Sequence, residues 1–371
     1  MIKVGILTFS FALNYGSLLQ AYALQEVLET KGYSACIIDL EEFNEENALP
    51  VKERIRKKII KIVSNFDFLP VIRKRNDKIE KFEAFRKHFN LTMKCHDIAE
   101  LQHIADDLDV IIVGSDQVWN THLKDFTYLF MLPVDNIRKI GYSVSLGWAS
   151  ETDLKEYQKE IQKFAAISVR EETSKQLVRS IYKSDIAVTA DPTLLVDTAT
   201  WNMISESTTI SVEKPFLLCF LFAKNRKYSR EKYRFVNEIA KSKNLKVIYL
   251  NHGYNKYSFR EDAFCDCGIE DFLYLFRNAS AVVTDSFHGT VFSIIYRREF
   301  YSIVDNSNTD RRKQGLLNRL GLEKRAVDVN EKINEVQDES IDYEAVAQKL
   351  YQMKEESLDF LDKEIGKTYG A

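Results

Sequence analysis

The chain has 371 residues and a formal net charge of −3, so there is no global basic field to draw in nucleic acid. Its 45% hydrophobic and 29% charged content is ordinary for a globular protein, and 13 Gly with 5 Pro exclude collagen-like or low-complexity chains. Five scattered cysteines, Cys36, Cys95, Cys219, Cys265 and Cys267, fit free thiols in a reducing cytosol better than a disulfide framework.

A length of 371 residues exceeds the size at which one core stops growing, so two domains are expected. The opening MIKVGILTF is too short for a secretory leader, and no apolar run approaches the roughly 20 residues that span a bilayer. The expectation is a cytoplasmic protein.

The pattern begins with a strand at 2–9, a turn at Asn14-Tyr15-Gly16-Ser17 with Ser17 as helix N-cap, a helix from Leu18 to Thr30, and a strand at 34–40. Residues 51–90 interleave basic and apolar side chains and read as two helices inserted into the first domain. Strands follow at 110–114, 139–145, 166–169 and 186–190. Residues 198–214 are polar and irregular, and read as a linker between a first domain over 1–197 and a second over 215–330. The second half alternates again: strands at 216–222, 246–250, 281–284 and 299–304, with helices at 230–242, 271–278 and 289–296. Residues 331–371 form a C-terminal segment with an amphipathic helix at 340–365. Strands alternating with helices predict parallel sheets, hence an α/β protein of two Rossmann-like domains.

In such sheets ligands bind beyond the carboxyl ends of strands. That rule selects Asn14, Tyr15, Gly16 and Ser17; Gly114, Ser115, Asp116, Trp119 and Asn120; Arg170; and Asp285, Ser286, His288, Gly289 and Thr290. A glycine lets backbone approach a ligand, and a helix start offers N–H groups to an anion. An Arg can grip a carboxylate or phosphate bidentately. A His can exchange a proton near neutral pH. Each has a plainer alternative: a capped turn, a surface ion pair, a buried hydrogen-bonded His. Asp107-Leu108-Asp109 reads as a solvated turn. The cysteines and remaining histidines lack metal spacing, so no metal is expected.

These segments resemble the polysaccharide pyruvyl transferase family. The resemblance rests on Asn14–Gln25, Val113–Trp119, Ser168–Glu171, Asp191-Pro192-Thr193, Asp285–Thr290, and Arg311-Arg312-Lys313 with Gly315-Leu316-Leu317. It implies two Rossmann-like domains facing a central cleft, a GT-B-like arrangement, and transfer of pyruvate from phosphoenolpyruvate to sugar hydroxyls as a ketal, with no further cofactor. His288 is then the general acid and base, and Arg170 binds the donor. Backbone at Gly16–Ser17 and Gly289–Thr290 holds anionic oxygens, and Asp116, Trp119 and Asn120 face the acceptor. Where the family pattern has an Arg two residues before the His, this chain has Ser286, with Arg311, Arg312 or Lys313 to supply the charge. The implied partners are phosphoenolpyruvate and a saccharide acceptor, with a lipid-linked acceptor as one form. The alternatives are a GT-B glycosyltransferase using a nucleotide sugar and a non-catalytic saccharide-binding protein. The basic residues of 52–78, including Arg56, Lys57, Lys58 and Lys61, suggest peripheral contact with the inner membrane face, against the plainer reading of a helix packed on its own domain.

Overall fold

A computed structural model describes residues 1–40, 70–122, 130–222, 226–251, 263–304, 310–329 and 340–367. Among these, 1–40, 86–122, 130–196 and 349–367 form one compact unit, and 70–85, 197–222, 226–251, 263–304, 310–329 and 340–348 form a second.

The first unit holds seven parallel strands: β1 (Lys3–Leu7), β2 (Ser34–Asp39), β3 (Leu91–Lys94), β4 (Val110–Val113), β5 (Arg138–Val144), β6 (Ala166–Val169) and β7 (Ile186–Val188), in the order β3-β2-β1-β4-β5-β6-β7. The second holds β8 (Phe216–Leu221), β9 (Lys246–Asn251), β10 (Ala263–Phe264), β11 (Ala281–Thr284), β12 (Glu299–Ile303) and β13 (Ala326–Val327), in the order β10-β9-β8-β11-β12-β13. Both are doubly wound Rossmann orders, and the α/β expectation holds. The order reverses between β1 and β4 in one sheet and between β8 and β11 in the other. Ligands of such sheets bind at that switch point, beyond the carboxyl ends. The central strands read VIIV in β4 and FLLCFL in β8, and every residue of both is buried. Unbroken apolar runs of this kind belong to parallel strands covered on both faces.

Several sequence readings shift. Asn14, not Ser17, caps the first helix, Tyr15–Thr30; its Oδ1 accepts from the N–H groups of Gly16 and Ser17 at 3.0 and 3.4 Å. The polar stretch after 197 is not irregular throughout, because Thr198–Glu206 is a helix. Its Trp201 is fully buried and stands edge-on to Phe292 at 5.4 Å. Truncating a Trp packed this way costs about 3–5 kcal/mol. Of its nine residues only Trp201 and Ser205 are buried, which left the segment too narrow an apolar stripe to be seen in sequence.

Of the basic stretch, residues 52–69 lie outside the described residues, and 70–86 form one helix, Pro70–Arg86. Lys78, Phe82, Phe85 and Arg86 on that helix are buried, so Lys78 is not available to a membrane surface. Burial pushes the Lys78 ammonium down to about 8, partly opposed by the Cys267, Cys265 and Asp266 side chains. No helix among the described residues is long and apolar enough to cross a membrane.

The chain ends in the helix Tyr343–Gly366. Its later turns complete the first unit. Ser357 Oγ accepts the N–H of Ala190 at 2.8 Å, Glu364 pairs with Arg138 at 3.1 Å, and Leu361 and Ile365 are fully buried.

Candidate functional site

At the switch point of the first sheet the chain leaves β1 and β4 through polar residues that bind one another. Gln20, one turn into the first helix, donates from Nε2 to Thr8 Oγ1 and to the Ser17 carbonyl, both at 2.9 Å. Its Oε1 accepts the Ser115 N–H at 3.2 Å. Thr8 Oγ1 donates to the Ser115 carbonyl at 3.0 Å. Asp116 has a left-handed backbone (φ 73°), as does Ser143 across from it (φ 47°), and Gly114 before it has φ 122°. Non-glycine residues in that region are uncommon and gather where a site over-determines them. Asp116 Oδ2 accepts from Ser17 Oγ at 3.2 Å.

Arg170 stands beyond β6, as expected, but it is buried. Its Nη2 pairs with Asp191 Oδ2 at 2.8 Å and donates to Ser115 Oγ at 2.5 Å, and its Nη1 lies 4.0 Å from Asp116 Oδ1. Asp191, which follows β7, also accepts from the Thr193 N–H and hydroxyl at 3.0 and 2.6 Å. The guanidinium that the sequence assigned to a donor carboxylate is thus committed to the protein's own carboxylates.

Two acceptor assignments are corrected. Trp119 is fully buried; its indole N–H donates to the Phe130 carbonyl at 3.0 Å and its ring meets Phe164 edge-on at 5.3 Å. It is a core residue. Asn120, 2% exposed, braces a turn, donating to Gln117 Oε1 at 2.9 Å and accepting the His122 N–H at 3.2 Å. Tyr15 is likewise buried.

At the switch point of the second sheet, β11 leads into the helix Phe287–Ile295, with Ser286 as N-cap. The Ser286 hydroxyl accepts the Gly289 N–H at 3.2 Å, and its carbonyl accepts the Thr290 N–H at 3.0 Å. These N–H groups, like those of Gly16 and Ser17, serve the cap rather than standing open to an anion. Capping explains the serine: Ser is among the best N-caps.

Asp285 is held from two sides. Its Oδ1 accepts the Phe222 N–H at 2.8 Å and its Oδ2 pairs with Lys232 Nζ at 2.5 Å. Lys313 Nζ donates to the carbonyls of Asp285, at 2.9 Å, and Ile303, and pairs with Asp310 at 2.8 Å. Burial pushes the Lys313 ammonium below the ordinary lysine range, opposed by Asp310 and Asp285. Three protons meeting three acceptors make Lys313 a clamp on this loop. Arg312 stacks over the Phe287 ring at 5.5 Å, and the buried His288 ring meets the same ring edge-on at 5.2 Å. Arg311 is exposed.

Gly289 is required by space. A Cβ there would lie 2.3 Å from Thr284 Oγ1 and 3.1 Å from Phe220 Cδ1. Gly289→Ala is expected to lose about 1–3 kcal/mol of stability in urea unfolding, the range for an overpacked core; an unchanged midpoint would show that the helix start can move aside.

Sequence reasoning missed Gln20, Ser143, Asp191, Thr193 and Lys232 as parts of these clusters. Asp191 and Thr193 had a signal in the Asp-Pro-Thr turn after a strand. Lys232 had none.

A model of the polysaccharide pyruvyl transferase family matches residues 14–308. No curated protein matches the chain by sequence. Among solved structures, the chain is similar to a protein described as a UDP-N-acetylglucosamine 2-epimerase from Listeria monocytogenes, with TM-score 0.58, 12% identity, and coverage of 100% of this chain and 96% of that one. It is also similar to the Staphylococcus aureus MnaA–UDP complex, with TM-score 0.53, 12% identity and coverage of 96% and 91%. The Methanocaldococcus jannaschii UDP-GlcNAc 2-epimerase with UDP-GlcNAc and UDP gives 0.51, 14%, and 98% of each chain. At such identities the likeness concerns the fold alone, which is GT-B-like.

Proposed function

Because the chain belongs to the polysaccharide pyruvyl transferase family, and is therefore a transferase, we propose that it moves pyruvate from phosphoenolpyruvate onto two hydroxyls of a saccharide, giving a cyclic ketal and phosphate. A proton adds to the enol methylene, and a sugar hydroxyl bonds to the enol carbon and gives up its proton. The carbon–oxygen bond to phosphate then breaks, a second hydroxyl bonds to the same carbon, and phosphate leaves with the remaining proton.

The observation that carries the reading is His288. It is a nearly buried imidazole in the first turn of a helix at a sheet's switch point, beside a guanidinium stacked on its neighbour. We assign His288 to proton transfer at the methylene, the phosphate or the sugar hydroxyl. Arg312 and Arg311 meet the anionic donor in place of the arginine that Ser286 replaces. Asp116 meets an acceptor hydroxyl, and Arg170 is a positioning residue that fixes Ser115, Asp116 and Asp191. The acceptor proposed is a precursor of a cell-surface polysaccharide, met on its lipid carrier at the inner membrane face.

Ser286 favours a second reading, in which a nucleotide sugar is the donor. Thermal unfolding separates the two. A ligand at 100 times its Kd adds about 2.7 kcal/mol, or a rise of roughly 5–10 °C for a unit of this size. Phosphoenolpyruvate is expected to give that rise, and phosphate release from it is expected to require a saccharide. A rise with UDP or GDP sugars and none with phosphoenolpyruvate would transfer the protein to the second reading.

A further inference from the structure

Of the three tryptophans, Trp119 and Trp201 are fully buried, whereas Trp148 is 41% exposed. Leaving an indole in water forgoes the stabilisation that its burial would bring. Trp148 nevertheless sits on a short, braced loop just past β5, at the same strand-end edge as Asp116 and Arg170. Three residues earlier, Ser145 donates its N–H to the Asp116 carbonyl at 3.0 Å and its hydroxyl to Glu171 at 2.8 Å. The turn closes through the Ala149 N–H on the Leu146 carbonyl at 3.0 Å. Gly147 is left-handed (φ 57°), and a Cβ on it would come within 2.5 Å of Gln117 Oε1 and 2.6 Å of Asn120 Nδ2. The loop is therefore seated on the residues that follow Asp116, and only glycine allows it to sit so close.

Polar groups flank the ring. His122, exposed and itself held through its N–H by Asn120, stands edge-on to the indole at 6.1 Å and 82°. Asp153 closes a capping box with Ser150, two residues beyond Trp148, accepting from the Ser150 N–H and hydroxyl at 2.8 and 2.7 Å. Those hydrogen bonds hold its carboxyl below the ordinary range.

A partly exposed indole on a braced loop, with an imidazole beside it, matches the two sides of a pyranose. The sugar's C–H face is apolar, and its hydroxyls project outward around the ring. The geometry points to Trp148 as the stacking platform for a pyranose of the saccharide acceptor, with His122 meeting its hydroxyls. This assignment deepens the proposed function and rests on its saccharide acceptor.

Because the other two tryptophans are buried, acrylamide quenching of indole fluorescence isolates Trp148. The probes are lactose, N-acetyllactosamine, cellobiose and mannobiose, up to tens of millimolar, with UDP as control. At least one disaccharide is expected to shield the ring, and UDP is expected to leave it open. Trp148→Ala should lose the quenchable component. With an acceptor that the enzyme turns over, Trp148→Ala should raise the acceptor KM about tenfold, leave the phosphoenolpyruvate KM in place and lower kcat far less. Trp148→Phe should restore most of the acceptor affinity. Shielding by none of the four sugars, shielding by UDP alone, or shielding that grows with protein concentration without sugar would overturn the assignment. Sugar shielding without phosphate release from phosphoenolpyruvate would instead fell the donor reading and leave the platform standing.

Discussion

His288→Ala is expected to lower saccharide-dependent phosphate release from phosphoenolpyruvate by about 100-fold or more, the usual scale for a lost general acid–base. The fold should survive. The ring lies at the start of the helix Phe287–Ile295, is held by contact with Phe287, and is replaced by the best helix former. Circular dichroism and thermal unfolding check the fold, and a phosphate assay checks turnover. Phosphoenolpyruvate should still raise the unfolding temperature of the variant, since the guanidinium groups of Arg311 and Arg312 remain. A folded variant that turns over at the wild-type rate would remove His288 from the chemistry.

Arg170→Met is expected to act on stability first. The Asp191 carboxylate has no exposed side-chain surface and sits 2.8 Å from Nη2, with Asp116 4.0 Å from Nη1. Removing one partner of a buried pair leaves an uncompensated charge and costs about 3–5 kcal/mol, a fall of roughly 10 °C in the unfolding temperature. Pairing the change with Asp191→Asn should recover part of the loss, because the two residues share one interaction. A titration with phosphoenolpyruvate separates positioning from direct binding. If Arg170 only positions, the folded variant keeps its donor affinity; if affinity falls while Asp191→Asn alone leaves it intact, the guanidinium touches the donor.

Much of the fold was legible because buried parallel strands are apolar runs of fixed length. Ala281–Thr284 and Ala166–Val169 were readable to the residue, and both switch-point loops announced themselves as polar residues after such runs. Chemistry at the site was legible as residue type but not as partnership. Arg170 and Asp191 are 21 positions apart and meet only because β6 and β7 are neighbours. Lys232 and Asp285 meet across 53 positions because β8 and β11 are neighbours. Trp119 misled because an indole N–H among polar neighbours reads as a ligand contact, while Phe130 O, eleven residues on, already takes it. Asn14 and Ser17 are both good caps, and only the backbone decides between them.

The terminal helix carries a consequence for how the protein comes into being. Ser357, Leu361, Glu364 and Ile365 are built into the first unit, although they leave the ribosome after every strand of the second. At about 5–20 residues per second, roughly ten to thirty seconds separate the synthesis of β7 from that of its covering helix. Through that interval Ala190, just past β7, lacks its contact with Ser357, and Tyr142 on β5 lacks the Phe360 ring that later lies 6.3 Å from it. A chain halted before residue 349 lacks these contacts and should aggregate where the 371-residue chain does not.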